Sequence, residues 1–350
     1  MGIIVKNEMG RALKGKILLG KTKTFVLRIT PVFLFLFLLF SEPIALFGLS
    51  SDGISDPEVD KDKYPHKQFN YINVEIDTSL AYAPSLYKAG LIYDFTENRL
   101  VWEKNLEEQF PIASLTKMMV SLIAIEQIDA GNIKLDDIAT ISKYATWVGG
   151  SKVYLKTGQK VTISDLLEAS MIRSGNDAAY ALAEYVGGTE KEFVYMMNEK
   201  AESLGMESTC FANSTGMPMR SKVIADNHST AADLLLMARE LVKHEDILDM
   251  TSRSTEKIQN ANGLYTYDNR NSLVKKYDEI DGLKTGFTNA AKYCIVATSK
   301  RCDHRVITIL LGVETKRNRY NVAVNLFNNY YSSIGLGKLG EDFEETASAN

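Results

Sequence analysis

Three short patterns in this 350-residue chain carry side chains suited to nucleophilic chemistry: Ser114-Leu115-Thr116-Lys117, Ser174-Gly175-Asn176 and Lys284-Thr285-Gly286. A serine hydroxyl is a weak nucleophile and needs a base beside it. Ser114 stands at the start of the strongest helical run in the chain, so Lys117, three residues on, shares its face one turn away and brings an amine within reach of the hydroxyl. A helix N-terminus also points N–H groups outward, and its dipole favours a developing anion.

Alone, each pattern is common. SxxK recurs at Ser85/Lys88, Ser254/Lys257 and Ser272/Lys275, SxN at Ser348/Asn350, and a second KTG stands at Lys156-Thr157-Gly158. An isolated serine before a helix is most often only an N-cap, and Ser174-Gly175-Asn176 by itself reads as a turn. Context separates the copies. Ser114 follows Pro111-Ile112-Ala113 and leads into a helix, which the other SxxK sites do not. Ser174-Gly175-Asn176 falls between two helices, so its polar side chains project from the turn. Lys284 follows Asp281-Gly282 and opens a sheet edge, whereas Lys156 precedes Gln159-Lys160 in a hairpin turn, which favours the later KTG.

The elements that must position these residues follow from periodicity. Ala89 to Asp94 and Arg99 to Lys104, joined across Thr96-Glu97-Asn98, predict a β-hairpin, and Tyr293 to Lys300 with Arg305 to Val313 predict two strands near the C-terminus. Between them the chain reads as mostly helical: Leu115 to Ala130, Ser164 to Arg173, Asn176 to Val186, a run from the capping box Thr189-x-x-Glu192 to Leu204, and one from Thr230-x-x-Asp233 through Val242. Tyr320 to Ser332 supplies a closing helix. The expected fold is α+β, with an antiparallel sheet built from both chain ends and a helical subdomain inserted between.

Composition bounds the partners. At 45% hydrophobic and 24% charged the chain has the makeup of a folded globular protein. The first 28 residues carry seven basic residues against Glu8 alone, so the net charge of −4 hides a more acidic body with no stripe for nucleic-acid phosphates. Three scattered cysteines (Cys210, Cys294, Cys302) and four histidines, with neither CxxC nor HExxH, give no framework for a disulfide scaffold or a zinc site, and no metal or cofactor is expected. An odd number of cysteines leaves at least one thiol unpaired within the chain, and all three read as structural. After the basic segment come the apolar Val32 to Phe40, then Ser41-Glu42-Pro43 and Ile44 to Leu49, which read as a signal peptide or an N-terminal anchor over residues 1–50. Residues 51–85 read as a tether, 86–335 as the catalytic body and 336–350 as a polar tail.

The ordered set SxxK, SxN, KTG resembles the penicillin-recognising serine acyltransferases, the group of penicillin-binding proteins and serine β-lactamases. The segments Ala113-Ser-Leu-Thr-Lys-Met, Arg173-Ser-Gly-Asn-Asp-Ala-Ala, Asn213-Ser-Thr-Gly-Met-Pro, His228-Ser-Thr-Ala-Ala-Asp and Asp281-Gly-Leu-Lys-Thr-Gly-Phe-Thr resemble the low-molecular-mass D-alanyl-D-alanine carboxypeptidases, over about residues 86 to 332. The resemblance implies a β-lactamase/transpeptidase-like fold and an enzyme that removes the terminal D-alanine from peptidoglycan stem peptides, and is acylated by penicillins, through Ser114. It implies Lys117 as the base, its pKa depressed by burial and by the charge of Lys284, and Ser174 as a proton relay to the leaving amine. It also implies Lys284 and Thr285 on the substrate carboxylate, Asn176 on the peptide amide, and the N–H groups of Ser114 and Phe287 as an oxyanion hole. Arg270 and Arg319 match positions near the carboxylate in related enzymes, and equally read as surface or ion-paired arginines.

The chain departs from the family it resembles in placing Phe287 where several members have histidine after the KTG. Neither a C-terminal β-domain nor an amphipathic membrane helix is expected after Ser332, so attachment to the cytoplasmic membrane is expected at the N-terminus and action outside the cytoplasm. A serine β-lactamase is the nearest alternative, with Glu256-x-x-x-Asn260 as the one loosely similar spacing for an added deacylating pair. A non-catalytic penicillin sensor is the other. Oligomeric state is left open.

Overall fold

The computed structural model describes residues 85–219, 225–260 and 262–342, with the backbone of Asn70–Tyr71. The expected signal or anchor over residues 1–50 lies outside the described residues. In chain order, the first half contains β1 (Asn70–Tyr71), β2 (Ala89–Asp94), β3 (Arg99–Lys104), β4 (Phe110–Pro111), α1 (Thr116–Asp129), β5 (Ile138–Thr140), α2 (Lys143–Trp147), β6 (Lys160–Thr162), α3 (Ile163–Met171), α4 (Asn176–Gly187) and α5 (Glu190–Ser203). Then follow β7 (His228–Ser229), α6 (Ala231–Leu241), α7 (Glu245–Ser252), β8 (Thr255–Asn260), β9 (Gly263–Asp268), β10 (Ile280–Thr288), β11 (Lys292–Arg301), β12 (His304–Val313) and α8 (Lys316–Ser333).

Period-two alternation builds the main sheet. In β12, Ile307, Ile309 and Leu311 enter one core and Val306 and Leu310 the other; in β11, Val296 faces the first and Ile295 and Ala297 the second. A sheet buried on both faces must be covered on both. The α8 side chains Val322, Leu326, Phe327 and Tyr331 cover one face, and the helical subdomain covers the other, so the apolar side of each strand residue has a partner. Full burial of each such side chain contributes about 1.5–3 kcal/mol relative to exposure.

The sheet order is β1-β3-β2-β12-β11-β10, with β2 from the front of the chain hydrogen-bonded to β12 from the back. It is antiparallel except for β1, which runs parallel to β3. That strand falls in the stretch expected to be a tether, so the sheet recruits residues from there. The hairpin β2–β3 has the expected bounds, and the helices agree within a few residues, because their caps are legible: Thr189 accepts from the Glu192 amide and Thr230 from the Asp233 amide. The Asp233 carboxylate also accepts from the Ser208 amide and the Thr209 hydroxyl. α8 starts earlier than expected, at Lys316, capped by Thr315.

Three expectations are corrected. The β8–β9 hairpin interrupts the stretch read as helical; Asn262-Gly263 at its turn was the available signal. Lys284-Thr285-Gly286 lies within β10 rather than opening it. Residues 336–342 are docked and not a free tail: the Arg301 guanidinium donates to the carbonyls of Leu336 and Glu341, and the Gly340 amide to Glu279. All three cysteines are free thiols, Cys294 buried and Cys210 and Cys302 exposed.

Candidate active site

Ser114 sits in the 3-10 turn Ala113–Leu115 that leads into α1, half-buried, with Lys117 on the first turn of the helix. From Thr116 to Ile125 every residue of α1 is buried. Over that stretch the helix has no solvent face, and Lys117 is carried into the interior with no exposed surface. Its Nζ lies 3.1 Å from Ser114 Oγ, 2.6 Å from Asn176 Oδ1 and 2.7 Å from the Thr215 carbonyl. Asn176 Nδ2 donates to the Gly149 carbonyl at 2.7 Å, which fixes the amide orientation and leaves Oδ1 facing the lysine. Both inner partners are acceptors only. A neutral amine spends its two N–H bonds on them and keeps its lone pair for the Ser114 hydroxyl.

Burial lowers the Lys117 pKa to about 7, opposed by the carboxylate of Asp177. The expected contribution of Lys284 is expressed at the other end of the pair. Lys284 is itself buried and held well below the ordinary lysine value, first by burial and then by the positive charges of Lys117, Arg319 and Arg270.

The turn that presents Ser114 is held from behind. Ala113 adopts φ 48°, a left-handed conformation costing a non-glycine residue roughly 1–2 kcal/mol. The Thr116 hydroxyl donates to the Ala113 carbonyl at 2.8 Å, Asn227 Nδ2 donates to that hydroxyl at 2.9 Å, and the Ile112 amide donates to the Asn227 carbonyl. Gly216 lies across the same carbonyl: at its φ of +76°, a Cβ would stand 1.9 Å from Ala113 O. Gly216→Ala is thus expected to displace the turn and slow acylation of Ser114 by about 100-fold. The acylation rate and the unfolding temperature, measured together, check this, and unchanged reactivity would show that the turn does not lean on Gly216.

Ser174, also left-handed at φ 63°, follows α3, and Asn176 begins α4. The irregular segment over residues 151–155 is strapped to this corner: the Asn176 amide donates to the Ser151 carbonyl, and Asp177 accepts from the amides of Val153 and Leu155. Across the cleft runs β10, the terminal strand of the sheet. Its Gly286 permits close approach, since a Cβ there would sit 3.3 Å from the Ser114 backbone nitrogen and 3.0 Å from the Ile112 carbonyl.

Together Ser114, Ser174, Thr285, Phe287, Arg270 and Arg319 line a cleft of about 330 Å³. A larger hollow of about 460 Å³, at Arg99, Cys302 and His304, contains none of the motif residues. Lys117 and Lys284 lie buried beside the cleft. Arg270 is exposed, and its Nη2 is 3.4 Å from Ser151 Oγ; Arg319, buried in the first turn of α8, donates to the Gly286 and Cys294 carbonyls at 3.3 Å. Among the described residues no carboxylate lies within salt-bridge distance of Lys284, Arg270 or Arg319, so the ion-pair reading of the two arginines is not realised and the cleft holds excess positive charge suited to an anion. Phe287 is half-exposed and packs on Tyr293 with ring centroids 4.4 Å apart, forming an apolar wall.

The sequence patterns thus converge on one place, with Asn176 differing from expectation: both ends of its amide are engaged inward, on Lys117 and Gly149. The rival KTG copy and the Glu256/Asn260 spacing stay outside the cleft, and Ser348/Asn350 lie outside the described residues. Lys156-Thr157-Gly158 is an exposed turn whose Thr157 hydroxyl pairs with that of Thr146, and Glu256 is bound by Arg253 while Asn260 donates to the Tyr267 hydroxyl. Sequence reasoning missed Thr215, Gly216 and Asn227, which support Lys117 and the Ser114 turn from about a hundred positions away in the chain. The quoted Asn213-Ser-Thr-Gly segment marked that region without revealing its role.

The family model for D-alanyl-D-alanine carboxypeptidase matches residues 84–315. The D-alanyl-D-alanine carboxypeptidase DacF of Bacillus subtilis is 36% identical over 233 residues, covering 66% of this chain and 59% of DacF. The chain therefore spans about three fifths of that relative's length. Among solved structures, penicillin binding protein 6B from Escherichia coli matches with a TM-score of 0.64 and 31% identity over 71% of this chain and 78% of that one. Penicillin-Binding Protein D2 from Listeria monocytogenes, in an ampicillin-bound form, matches with a TM-score of 0.62 and 29% identity over 69% and 96%. With the family model matched over most of the described body, this chain belongs to the D-alanyl-D-alanine carboxypeptidase family.

Proposed function

We propose that the protein is a serine-type D-alanyl-D-alanine carboxypeptidase that trims peptidoglycan stem peptides outside the cytoplasmic membrane and is acylated by β-lactams. The observation that carries the reading is the buried Lys117 amine, 3.1 Å from Ser114 Oγ with its pKa lowered to about 7, which makes it a base at neutral pH.

Ser114 Oγ attacks the carbonyl carbon of the penultimate D-alanine as its proton passes to Lys117 Nζ. The oxyanion is taken by the backbone N–H groups of Ser114 and Phe287, which the close approach of Gly286 to the nucleophile turn supports. The bond to the terminal D-alanine then breaks, with Ser174 passing a proton to the leaving amine. Water hydrolyses the ester on Ser114 and restores the hydroxyl. The unpaired positive charge of Lys284, Arg270 and Arg319 receives the substrate carboxylate, beside the Thr285 hydroxyl. Asn176 orients Lys117 through Oδ1, and from the same corner it borders the path of the peptide amide. A β-lactam, with a strained amide and a carboxylate, enters by the same route. The segment over residues 1–50 delivers the body across the membrane, as a cleaved signal or a retained anchor.

The test is an intact-mass time course with benzylpenicillin, followed by peptide mapping and by assay of D-alanine released from a D-Ala-D-Ala peptide. A lasting adduct on Ser114 with D-alanine release supports the carboxypeptidase. Penicillin consumed without an adduct points to a β-lactamase, an adduct without peptide turnover to a sensor, and neither adduct nor release overturns the proposal. The engagement of Glu256 with Arg253, away from the cleft, disfavours the β-lactamase.

The choice between the two KTG copies gives a separate expectation. Lys284→Ala removes a buried cation from the carboxylate end and is expected to raise KM at least 10-fold, in the range of a lost charged hydrogen bond. Lys156→Ala is expected to leave kinetics unchanged; steady-state assays of both variants decide the matter, and the reverse pattern would move the site to the earlier copy.

A further inference from the structure

We infer that Tyr320 is a positioning residue for carboxylate recognition: one phenol oxygen holds the Arg319 guanidinium in place by tying it to the Arg270 main chain. The inference rests on the reading above that the cationic end of the cleft receives the substrate carboxylate.

Arg319 is 4% exposed, and among the described residues it has no carboxylate partner. Its Nε lacks any hydrogen bond, and its two contacts to strand carbonyls are both 3.3 Å. Its one short contact is Nη2 to the Tyr320 hydroxyl, at 2.6 Å. The guanidinium also lies over the Tyr320 ring, 4.4 Å from its centroid, and 5.6 Å from that of Tyr293. Burial works against the charge on Arg319, while Tyr320 supports it through its oxygen.

The phenol has little freedom. It donates to the Arg270 carbonyl at 2.7 Å and accepts from the Ser272 amide at 3.4 Å, so its single proton is committed and its lone pairs face Arg319 and Ser272. The Arg270 amide in turn donates to the Ile172 carbonyl, two residues before Ser174. Through one oxygen, α8 and its guanidinium are fixed to the segment carrying Arg270 and, beyond it, to the turn carrying Ser174. A long arginine side chain held this way loses less freedom when an anion binds.

Tyr320→Phe keeps the ring and its packing and removes only the oxygen, so the loss should fall on the carboxylate and not on the chemistry at Ser114. The probes are benzylpenicillin and its methyl ester, compared by their second-order acylation rates in the full-length protein. We expect wild type to prefer the acid, and Y320F to shrink that preference about 10-fold while the ester reacts within about twofold of wild type. With peptide substrate, KM should rise and kcat hold. In an Arg319→Ala background, Tyr320→Phe should have no further effect on the preference. Tyr320→His, which keeps an aromatic ring and moves its polar atom, is expected to lose the same preference and serves where Y320F folds poorly. An unchanged acid preference in Y320F, an equal loss for acid and ester, or an effect that adds in full to that of Arg319→Ala overturns the inference. A wild type that shows no preference for the acid overturns the carboxylate reading beneath it.

Discussion

Ser114→Ala is expected to abolish both D-alanine release and the penicillin adduct while the protein stays folded. The substitution removes one oxygen from a half-buried position whose side-chain contact is with Lys117. The turn itself is held by backbone and by Thr116, Asn227 and Gly216, none of which touches that oxygen. Removing a nucleophile from a site that works as a unit costs about 10⁴–10⁶ in kcat, because the remaining groups have no covalent step to assist. D-alanine release, intact mass after penicillin and thermal unfolding on one preparation check it. Release at the wild-type rate by a folded variant would falsify the assignment of Ser114.

Lys117→Met has the next largest expected effect, a fall of about 10²–10⁴ in acylation rate. It also leaves Asn176 Oδ1 and the Thr215 carbonyl facing a thioether, at about 1–3 kcal/mol for each buried acceptor left unpaired. The pH profile separates lost chemistry from lost packing. The neutral amine is the base, and its fraction grows with pH, so wild-type kcat/KM should rise with pH around a midpoint of about 7. A bound substrate carboxylate favours the charged lysine and should move the kcat midpoint higher. In Lys117→Met the rising limb should vanish. If it persists with the same midpoint, another group is the base.

How much was legible in the sequence varies by type of feature. The β2–β3 hairpin and the caps at Thr189 and Thr230 depend on near neighbours, and their expected and observed bounds agree within a residue or two. The β8–β9 hairpin is hard to read because, of the residues in its two strands, only Ile258 and Asn260 are buried, which leaves the hydrophobic alternation faint. The tether and the tail rest on polarity alone, and polarity cannot reveal that two residues pair with a sheet edge or that Arg301 binds carbonyls thirty-five to forty positions on.

By itself the sequence determined the order of the three motifs, the helix that places Lys117 one turn from Ser114, the local context in which the motifs differ from their copies, and the acidic body behind a basic, apolar N-terminus. Those are short-range properties, set by backbone periodicity and residue type. Only the tertiary structure decided that Lys117 is wholly buried with its pKa lowered to about 7, that Asn176 faces that lysine, that Arg270 and Arg319 stand without carboxylates among the described residues, that Gly216 and Asn227 back the Ser114 turn, and that Tyr320 meets Arg319. Desolvation, close approach and the supply of a hydrogen-bond partner depend on which distant segments meet, and a linear pattern carries no measure of that distance.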